Sequence, residues 1–226
     1  MLGYAFTWLK NSVGRNPVLG AYNIHVVPGA KLPQKVASAF DEIFGKMVGA
    51  SYGIIAYLGS KIVSGTNHAI LATQVMVTGN DVHNVVLIVL NEKNDHFEIV
   101  EITNLLSDSG KLGGLNIAPT TDIPEDAMEV FNKNFEGFLG TRLEPFALLG
   151  TQIVNGTKYV FACKSKMVIS PNATGENAFT DGVTIVSAFS NYRDVEFKDV
   201  ILGTSDDENG ATLKQGALGA PLGEWP

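Results

Sequence analysis

Apolar residues recur at helical spacing in two stretches of the chain, and each stretch follows a proline, Pro33 or Pro124. A period near 3.6 residues predicts an amphipathic helix, and proline suits its first position. Gly49 and Gly140 follow the stripes and predict where the two helices end. The stripes, which we interpret as core, consist of Val36, Phe40, Phe44, Met47 and Val48, and of Ala127, Phe131, Phe135, Phe138 and Leu139.

Four β-rich runs follow each predicted helix. The turn dipeptides Ser64-Gly65 and Asn155-Gly156 separate the first two runs of each set and predict β-hairpins. The predicted strands are 51–62, 66–78, 84–91 and 96–103, and then 142–153, 157–169, 183–189 and 195–202.

One predicted strand is apolar on both faces. Val85 to Leu90 are six apolar residues in succession, whereas a sheet covered on one side shows alternation. The helix covers one face only. The other face is covered by the second copy or by a second chain, or the run is simply a strong central strand; the sequence leaves these open.

The two sets of elements are copies of one unit. The segments 33–66 and 124–157 align without a gap at an offset of 91 residues, and a short start, Leu19 to Ile24, recurs as Leu112 to Ile117. We divide the chain into an N-terminal lead, two repeats, a linker and a flexible tail rich in acidic, glycine and proline residues. The divisions are 1–18 (lead), 19–106 (repeat 1), 107–111 (linker), 112–204 (repeat 2) and 205–226 (tail).

Each repeat contains one predicted helix and four predicted antiparallel strands. The predicted fold class is therefore α+β, with two tandem units, each one helix packed on a curved four-stranded antiparallel sheet. Repeat 2 also has a longer connection between its second and third strands, residues 171–182, which we interpret as surface decoration.

Composition narrows the classes of function. The net charge of -7 and the lack of a basic cluster argue against nucleic acid. The longest apolar run is too short to cross a bilayer, so we expect a soluble chain with no membrane partner. Cys163 is the only cysteine, which excludes an intrachain disulfide. With no signal-peptide pattern, a cytoplasmic location is favoured, or secretion if the N-terminus has been trimmed.

No residue pattern predicts catalysis. Cys163 lies in an apolar strand, and its counterpart in repeat 1 is Ala72, so core packing is the better interpretation. The histidines lack metal-ligand spacing, and the acidic run 206–210 lacks the pattern of an EF-hand loop. We therefore predict no catalytic residue, no metal, no cofactor and no enzyme activity. The histidines are His25, His68, His83 and His96.

The repeated hairpin tips remain as candidate binding residues. An apolar Ile-Val pair stands just before each turn, although the turn itself does not need it. Such a tip presents apolar side chains and backbone polar groups to a partner's groove. The tips consist of Lys61, Ile62, Val63, Ser64 and Gly65, and of Gln152, Ile153, Val154, Asn155 and Gly156.

The second tip resembles the cystatin superfamily. Gln152 to Gly156 match the Gln-x-Val-x-Gly hairpin of that family, and Thr157 to Tyr159 continue the likeness. Gly113 or Gly114 lies about forty residues ahead, as the family's trunk glycine does. The resemblance covers most of both repeats.

The resemblance implies the cystatin-like fold and a wedge that enters the cleft of papain-like cysteine proteases. In repeat 2 the wedge would use Gly113 and Gly114 as trunk, Gln152 to Gly156 as first hairpin, and a second loop in which Tyr192 replaces the family's Pro-Trp pair. Repeat 1 would use Gly20 and the tip 61–65, in which Lys61 replaces glutamine.

Two functions follow as hypotheses. The first is a non-enzymatic binding protein, in its sharpest form a cysteine-protease inhibitor acting through the first hairpin of repeat 2. The alternative is a structural or assembly module in which the repeats or chains pair through their sheets, as tight repeat–repeat packing or as a homo-oligomer.

Overall fold

The computed structural model describes residues 21–77, 82–108, 113–168 and 179–205. Both repeats have the same order of elements, namely a short strand, a helix and four longer strands. Repeat 1 contains β1 (Asn23–Pro28), α1 (Gln34–Phe44), β2 (Ala50–Ile62), β3 (Thr66–Met76), β4 (Val82–Lys93) and β5 (His96–Ser107). Repeat 2 contains β6 (Asn116–Thr120), α2 (Glu125–Phe135), β7 (Thr141–Val154), β8 (Gly156–Val168), β9 (Phe179–Phe189) and β10 (Glu196–Ser205).

Several predictions made from the sequence lie outside the described residues. These are the N-terminal lead with Gly20, residues 109–111 of the linker, most of the 171–182 connection, and the tail beyond Ser205 with its acidic run.

The predicted fold class is wrong. The described chain is mainly β, with two five-stranded antiparallel sheets in the orders β1-β2-β3-β4-β5 and β10-β9-β8-β7-β6, and not two α+β units with four-stranded sheets. The additional strands are β1 and β6, the recurring repeat starts. They are only six and five residues long, so each carries too short a pattern to be predicted as a strand. Each of them pairs with the free edge of the long strand beside it, β1 with β2 and β6 with β7.

Each repeat start approaches its neighbour at a glycine. A Cβ atom at Gly59 of β2 would lie 2.2 Å from the carbonyl oxygen of Asn23, and one at Gly150 of β7 would lie 2.4 Å from that of Asn116. The pairing of β2 with β3 shifts register between Tyr57 and Gly59, and β7 shifts at the matching place. Such bulges bend a strand, so both sheets curve at the same point of the repeat.

The helices end earlier than the apolar stripes predict. Phe40 and Phe44 of α1 are buried, but Val48 is 99% exposed and its counterpart Leu139 is 90% exposed. Helix α1 is capped at Gly45. Gly49 and Gly140 do not stop the helices; at φ of +88° and +89° they turn the chain into β2 and β7.

The core of the molecule has two kinds of layer. Val86, Ile88 and Leu90 of β4 pack with Phe40 and Phe44 beneath α1. The alternate residues Val85, Leu87 and Val89 belong to a continuous core that includes Val160 and Ile185 of the other sheet. The two sheets therefore pack face to face, each with its helix on the outer face, and β4 is covered on both sides.

Edge contacts also join the repeats. Tyr22, just before β1, forms a parallel bridge with Gly203 of β10. Lys198 Nζ donates a hydrogen bond of 2.7 Å to the carbonyl oxygen of Leu105. In the described part of the chain, neither helix has the length and apolar character needed to cross a membrane.

Candidate functional site

The tip of the β7–β8 hairpin is exposed and apolar. Ile153 is 71% exposed and Val154 is 41% exposed. The predicted hairpin turn is confirmed, since Val154 pairs with Gly156 across it. Apolar side chains at a turn leave water when they enter a partner's groove, and that transfer favours binding.

The segment before β6 lies beside the hairpin. Gln152 Nε2 donates a hydrogen bond of 2.8 Å to the carbonyl oxygen of Gly113. Gly113 is exposed and has a φ of +78°, and Gly114 follows it partly buried. The trunk and the first hairpin predicted from the sequence therefore meet at one end of repeat 2.

The loop between β9 and β10, residues 190–195, forms the other side of the site. The backbone N–H of Thr157 donates to Ser190 Oγ at 2.9 Å, and the N–H of Ser190 donates to the carbonyl oxygen of Thr157 at 2.9 Å. A Cβ atom on Gly156 would lie 2.6 Å from Ser190 Oγ. A larger residue at this position would therefore have to displace the side chains of Ser190 and Asn191.

Tyr192 stands at the surface of this loop. Its ring stacks on that of Phe189 with centroids 4.6 Å apart, and the residue is 41% exposed. Gly113, the tip and Tyr192 thus line one end of the second sheet and together form a surface that we call the wedge.

The wedge has a fixed base. Lys158 forms an ion pair with Glu196 and lies 5.4 Å from the centroid of the Phe189 ring. Arg193 Nε donates a hydrogen bond of 2.9 Å to the carbonyl oxygen of Asn134 in α2, and Asn134 Nδ2 donates to that of Phe189 at 3.0 Å. A surface already held in one conformation loses little entropy on binding.

Sequence reasoning missed these supporting residues. Ser190 and Arg193 appear in the sequence only as part of a polar turn. Their roles depend on how close the turn lies to the hairpin and to the end of α2. The residue types around them in the sequence do not predict that distance. The alternation of β8 does place Lys158 on the same face as Val160, but it does not identify Glu196 as its partner.

The tip of repeat 1 has a different turn and different neighbours, since β2 and β3 pair only as far as Ile62 and Thr66 and Ser64 has a φ of +46°. Ile62 and Val63 are 41% and 45% exposed. Lys61 Nζ lies 4.6 Å from the centroid of the Tyr22 ring, and Lys93 Nζ donates to Ser64 Oγ at 3.3 Å. Two lysines therefore flank this tip, and no tyrosine occupies the place of Tyr192.

Repeat 1 also contains a buried polar chain below its tip. Tyr57 Oη and His68 Nδ1 are 2.9 Å apart, and His68 Nε2 is 3.2 Å from a carboxylate oxygen of Glu92. Lys35 bridges Glu92 and Asp95 at 3.4 and 2.6 Å. Burial lowers the pKa of His68, although Glu92 opposes this. Tyr57 and His68 are 5% and 7% exposed, so we interpret the chain as internal support.

The remaining candidates for chemistry stay in the core or apart. Cys163 is fully buried, and burial raises the pKa of its thiol well above the usual range, which disfavours a reactive thiolate. Within the described ranges, no three His, Cys, Asp or Glu side chains come together as metal ligands would.

Sequence comparison adds no relative to this picture. No family model matches the chain, and no curated protein matches its sequence. The function is therefore argued from the wedge itself.

Proposed function

We propose that the protein is a non-enzymatic binding protein that inserts the wedge of repeat 2 into the groove of a partner. The observation that carries the proposal is the exposure of Ile153 and Val154 on a tip that is braced from both sides. A fold that used the hairpin only as a turn would gain nothing from apolar side chains in water. Small apolar anchors surrounded by a polar rim are typical of binding surfaces.

The partner class that we propose is a papain-like cysteine protease. The resemblance of Gln152 to Gly156 to the cystatin hairpin supports this choice, and so does the position of Gly113 beside that hairpin. Tyr192 would supply the aromatic contact of the second loop. Because Gln152 holds the carbonyl of Gly113, the trunk would enter the cleft together with the hairpin.

The test is inhibition of papain by the purified full chain and by two matched variants. Val154→Asp places a charge on the tip of repeat 2, and Val63→Asp places the same charge on the tip of repeat 1. Both valines are more than 40% exposed, so neither change should alter stability by more than about 0.5 kcal/mol.

We expect the wild type and Val63→Asp to inhibit alike and Val154→Asp to weaken inhibition on the order of 100-fold, as loss of a central contact does. Equal inhibition by Val154→Asp and the wild type would contradict the wedge. Absence of inhibition by the wild-type chain would contradict the protease as partner.

The alternative, a structural module, draws on a different observation. A continuous core joins the inner faces of both sheets within one chain. That core explains why the repeats pair but does not explain the exposed apolar tips. We therefore place the structural module second.

A further inference from the structure

A groove lies on the outer face of repeat 2, between α2, the turn that follows it and the start of β7. Its volume is about 800 Å³, which exceeds that of two aliphatic side chains. Its apolar wall consists of Phe131, Phe135, Phe138 and Leu143. An open apolar wall loses its contact with water when a partner covers it, and that transfer favours association.

The residue types at one pair of positions explain why repeat 2 has this groove. In repeat 1 the Tyr52 ring packs on Phe44 with centroids 4.6 Å apart, and Tyr52 Oη accepts a hydrogen bond of 2.8 Å from Gln74. Leu143 occupies the matching position of repeat 2 and pairs with Ser165, as Tyr52 pairs with Gln74. Leucine and serine are smaller than tyrosine and glutamine, so the space beside α2 stays open.

The groove continues into an exposed aromatic patch. The Phe197 ring of β10 lies 5.4 Å from that of Phe138 and 6.0 Å from that of Phe135, and Phe197 is 40% exposed. Leu139, which follows Phe138 in the turn, is 90% exposed. Apolar groups placed together in this way mark an interaction surface.

The rim of the groove has an excess of negative charge. Its charged residues are Glu129, Lys133, Glu136 and Arg142. Arg142 Nε lies 3.2 Å from a carboxylate oxygen of Glu144, so the positive charge of Arg142 is already paired. The other three rim residues carry two negative charges and one positive charge. An apolar partner surface that is flanked by cations complements such a rim.

The tip of repeat 1 is a surface of this kind. Ile62 and Val63 are 41% and 45% exposed, and two lysines stand beside them. Lys61 Nζ lies over the uncharged ring of Tyr22, and Lys93 Nζ donates a hydrogen bond to the hydroxyl group of the turn serine. Neither contact neutralises a positive charge, so both charges remain to attract carboxylates.

The same tip is also fixed in shape. The backbone N–H of Val63 donates a hydrogen bond of 2.9 Å to the carbonyl oxygen of Gly65. Asn91, which is 6% exposed, donates from Nδ2 to Asn67 Oδ1 at 2.6 Å and to the carbonyl oxygen of Val63 at 3.5 Å. A turn that is ordered before binding loses little further entropy when it enters a groove.

We propose that the tip of repeat 1 of one molecule inserts into the groove of repeat 2 of a second molecule. The Ile-Val pair packs against the aromatic wall, and the two lysines face Glu129 and Glu136. Within one chain the pair is exposed, so the contact requires a second copy. The tip of repeat 2 matches the rim less well, because the uncharged Gln152 and Tyr192 flank it. The wedge therefore stays free, and two associated chains carry two wedges.

Sedimentation equilibrium at low ionic strength measures the association. We expect the average mass of the wild type to rise with concentration from one chain toward two or more. Val63→Asp and Leu143→Tyr, which fills the groove with the residue of repeat 1, should each lower the association constant at least about tenfold. Val154→Asp places the same charge on the other tip, and Val100→Tyr places the same ring at a residue 53% exposed in β5. Both are matched controls and should associate as the wild type does.

A mixture of the two defective variants tests the pairing of tip with groove directly. Val63→Asp keeps an intact groove, and Leu143→Tyr keeps an intact tip. We therefore expect dye-labelled Leu143→Tyr to gain fluorescence anisotropy when Val63→Asp is added and to gain none when unlabelled Leu143→Tyr is added. A contact of tip with tip or of groove with groove gives no such recovery.

Four results would overturn the proposal. They are a wild type that keeps the mass of one chain at every concentration, a folded Val63→Asp or Leu143→Tyr that associates as the wild type does, a loss in Val154→Asp equal to that in Val63→Asp, and a mixture without recovery. If Leu143→Tyr fails to fold by circular dichroism, the double variant Glu129→Lys with Glu136→Lys, at two exposed positions, takes its place. Papain inhibition is a separate readout, which Val154→Asp should weaken and Val63→Asp should not, so the failure of either proposal is distinguishable.

Discussion

The two hairpin tips occupy equivalent places in the repeats and differ both in their turns and in their surroundings. In repeat 1, Lys61 lies over Tyr22 and Lys93 reaches Ser64, whereas in repeat 2 Gln152 holds Gly113 and Ser190 holds Thr157. Ile153 is 71% exposed and Ile62 only 41%. The comparison teaches that both repeats keep an apolar hairpin tip at the same place, while the flanking residues set which contacts hold each tip.

The helix starts differ in a similar way. Lys35 of α1 reaches Glu92, which contacts His68. Asp126 occupies the matching position of α2 and accepts a hydrogen bond from Tyr159, the counterpart of His68, at 3.2 Å. In both repeats a side chain at the start of the helix therefore contacts a side chain of the sheet. The helix residue is positively charged in repeat 1 and negatively charged in repeat 2.

The largest effect on stability should come from disrupting the core between the two sheets, to which both repeats contribute. Leu87→Lys would place a charge in the core between the sheets, where Leu87 is 6% exposed. We expect a loss of about 4 kcal/mol or more in the free energy of unfolding, as for an unpaired buried charge. Urea denaturation measures this. Val100→Lys, at a residue 53% exposed on the neighbouring strand, is the control and should change little; a similar loss in both variants would contradict the buried sheet contact.

A smaller effect on stability is expected from alanine at the turn glycines, and it should differ between the two hairpins. Gly65 and Gly156 have φ of +123° and +100°, so alanine strains both. A Cβ at Gly65 would lie 2.6 Å from the backbone oxygen of Glu92, whereas at Gly156 the nearest atom, also at 2.6 Å, is the Ser190 hydroxyl, which can rotate away.

We therefore expect Gly65→Ala to lower stability by about 2–3 kcal/mol and Gly156→Ala by about 1 kcal/mol. Thermal and urea unfolding of the two variants side by side check the order. An equal loss of stability in both variants, or a larger loss for Gly156→Ala, would contradict this difference. It would mean that the Ser190 side chain cannot move away from the added Cβ atom.

The smallest effect should be a dependence of stability on pH that comes from His68 in repeat 1. Burial lowers the pKa of His68 below its ordinary value of 6.5, so the folded chain disfavours the charged ring. The stability that results is fully present above pH 6.5 and is lost as the pH falls through the folded pKa. We expect His68→Gln to show a flatter stability profile between pH 7 and 5 in urea titrations. A variant with the same slope as the wild type would mean that other groups cause the acid sensitivity.

The sequence allowed part of this architecture to be predicted. The hairpins at Ser64-Gly65 and Asn155-Gly156 and the start of each helix after proline are local signals, and the structure confirms them. The strands β1 and β6 were missed because five or six residues are too short a pattern to identify a strand, and their partner is far along the chain. The exposure of Val48 also escaped prediction, because a helical period cannot report that the helix ends at Phe44.

The candidate site was predicted to a similar degree. The pattern around Gln152 identified the tip, and the spacing to Gly113 identified a neighbour that the hydrogen bond of Gln152 does reach. The contacts of Ser190 and the anchoring of Arg193 on α2 depend on loop positions in three dimensions, and residue types in a turn do not encode them.

The inner face of each sheet makes the two repeats dependent on each other. A single repeat on its own would expose Leu58, Leu71 and Leu87 to water, and the natural cover for that face is the equivalent face of an identical molecule. In the present polypeptide the second repeat supplies that cover, and because both repeats are on one chain their contact does not depend on protein concentration. The two halves can also differ in sequence without losing their partner, so that one half can carry a surface that the other half lacks.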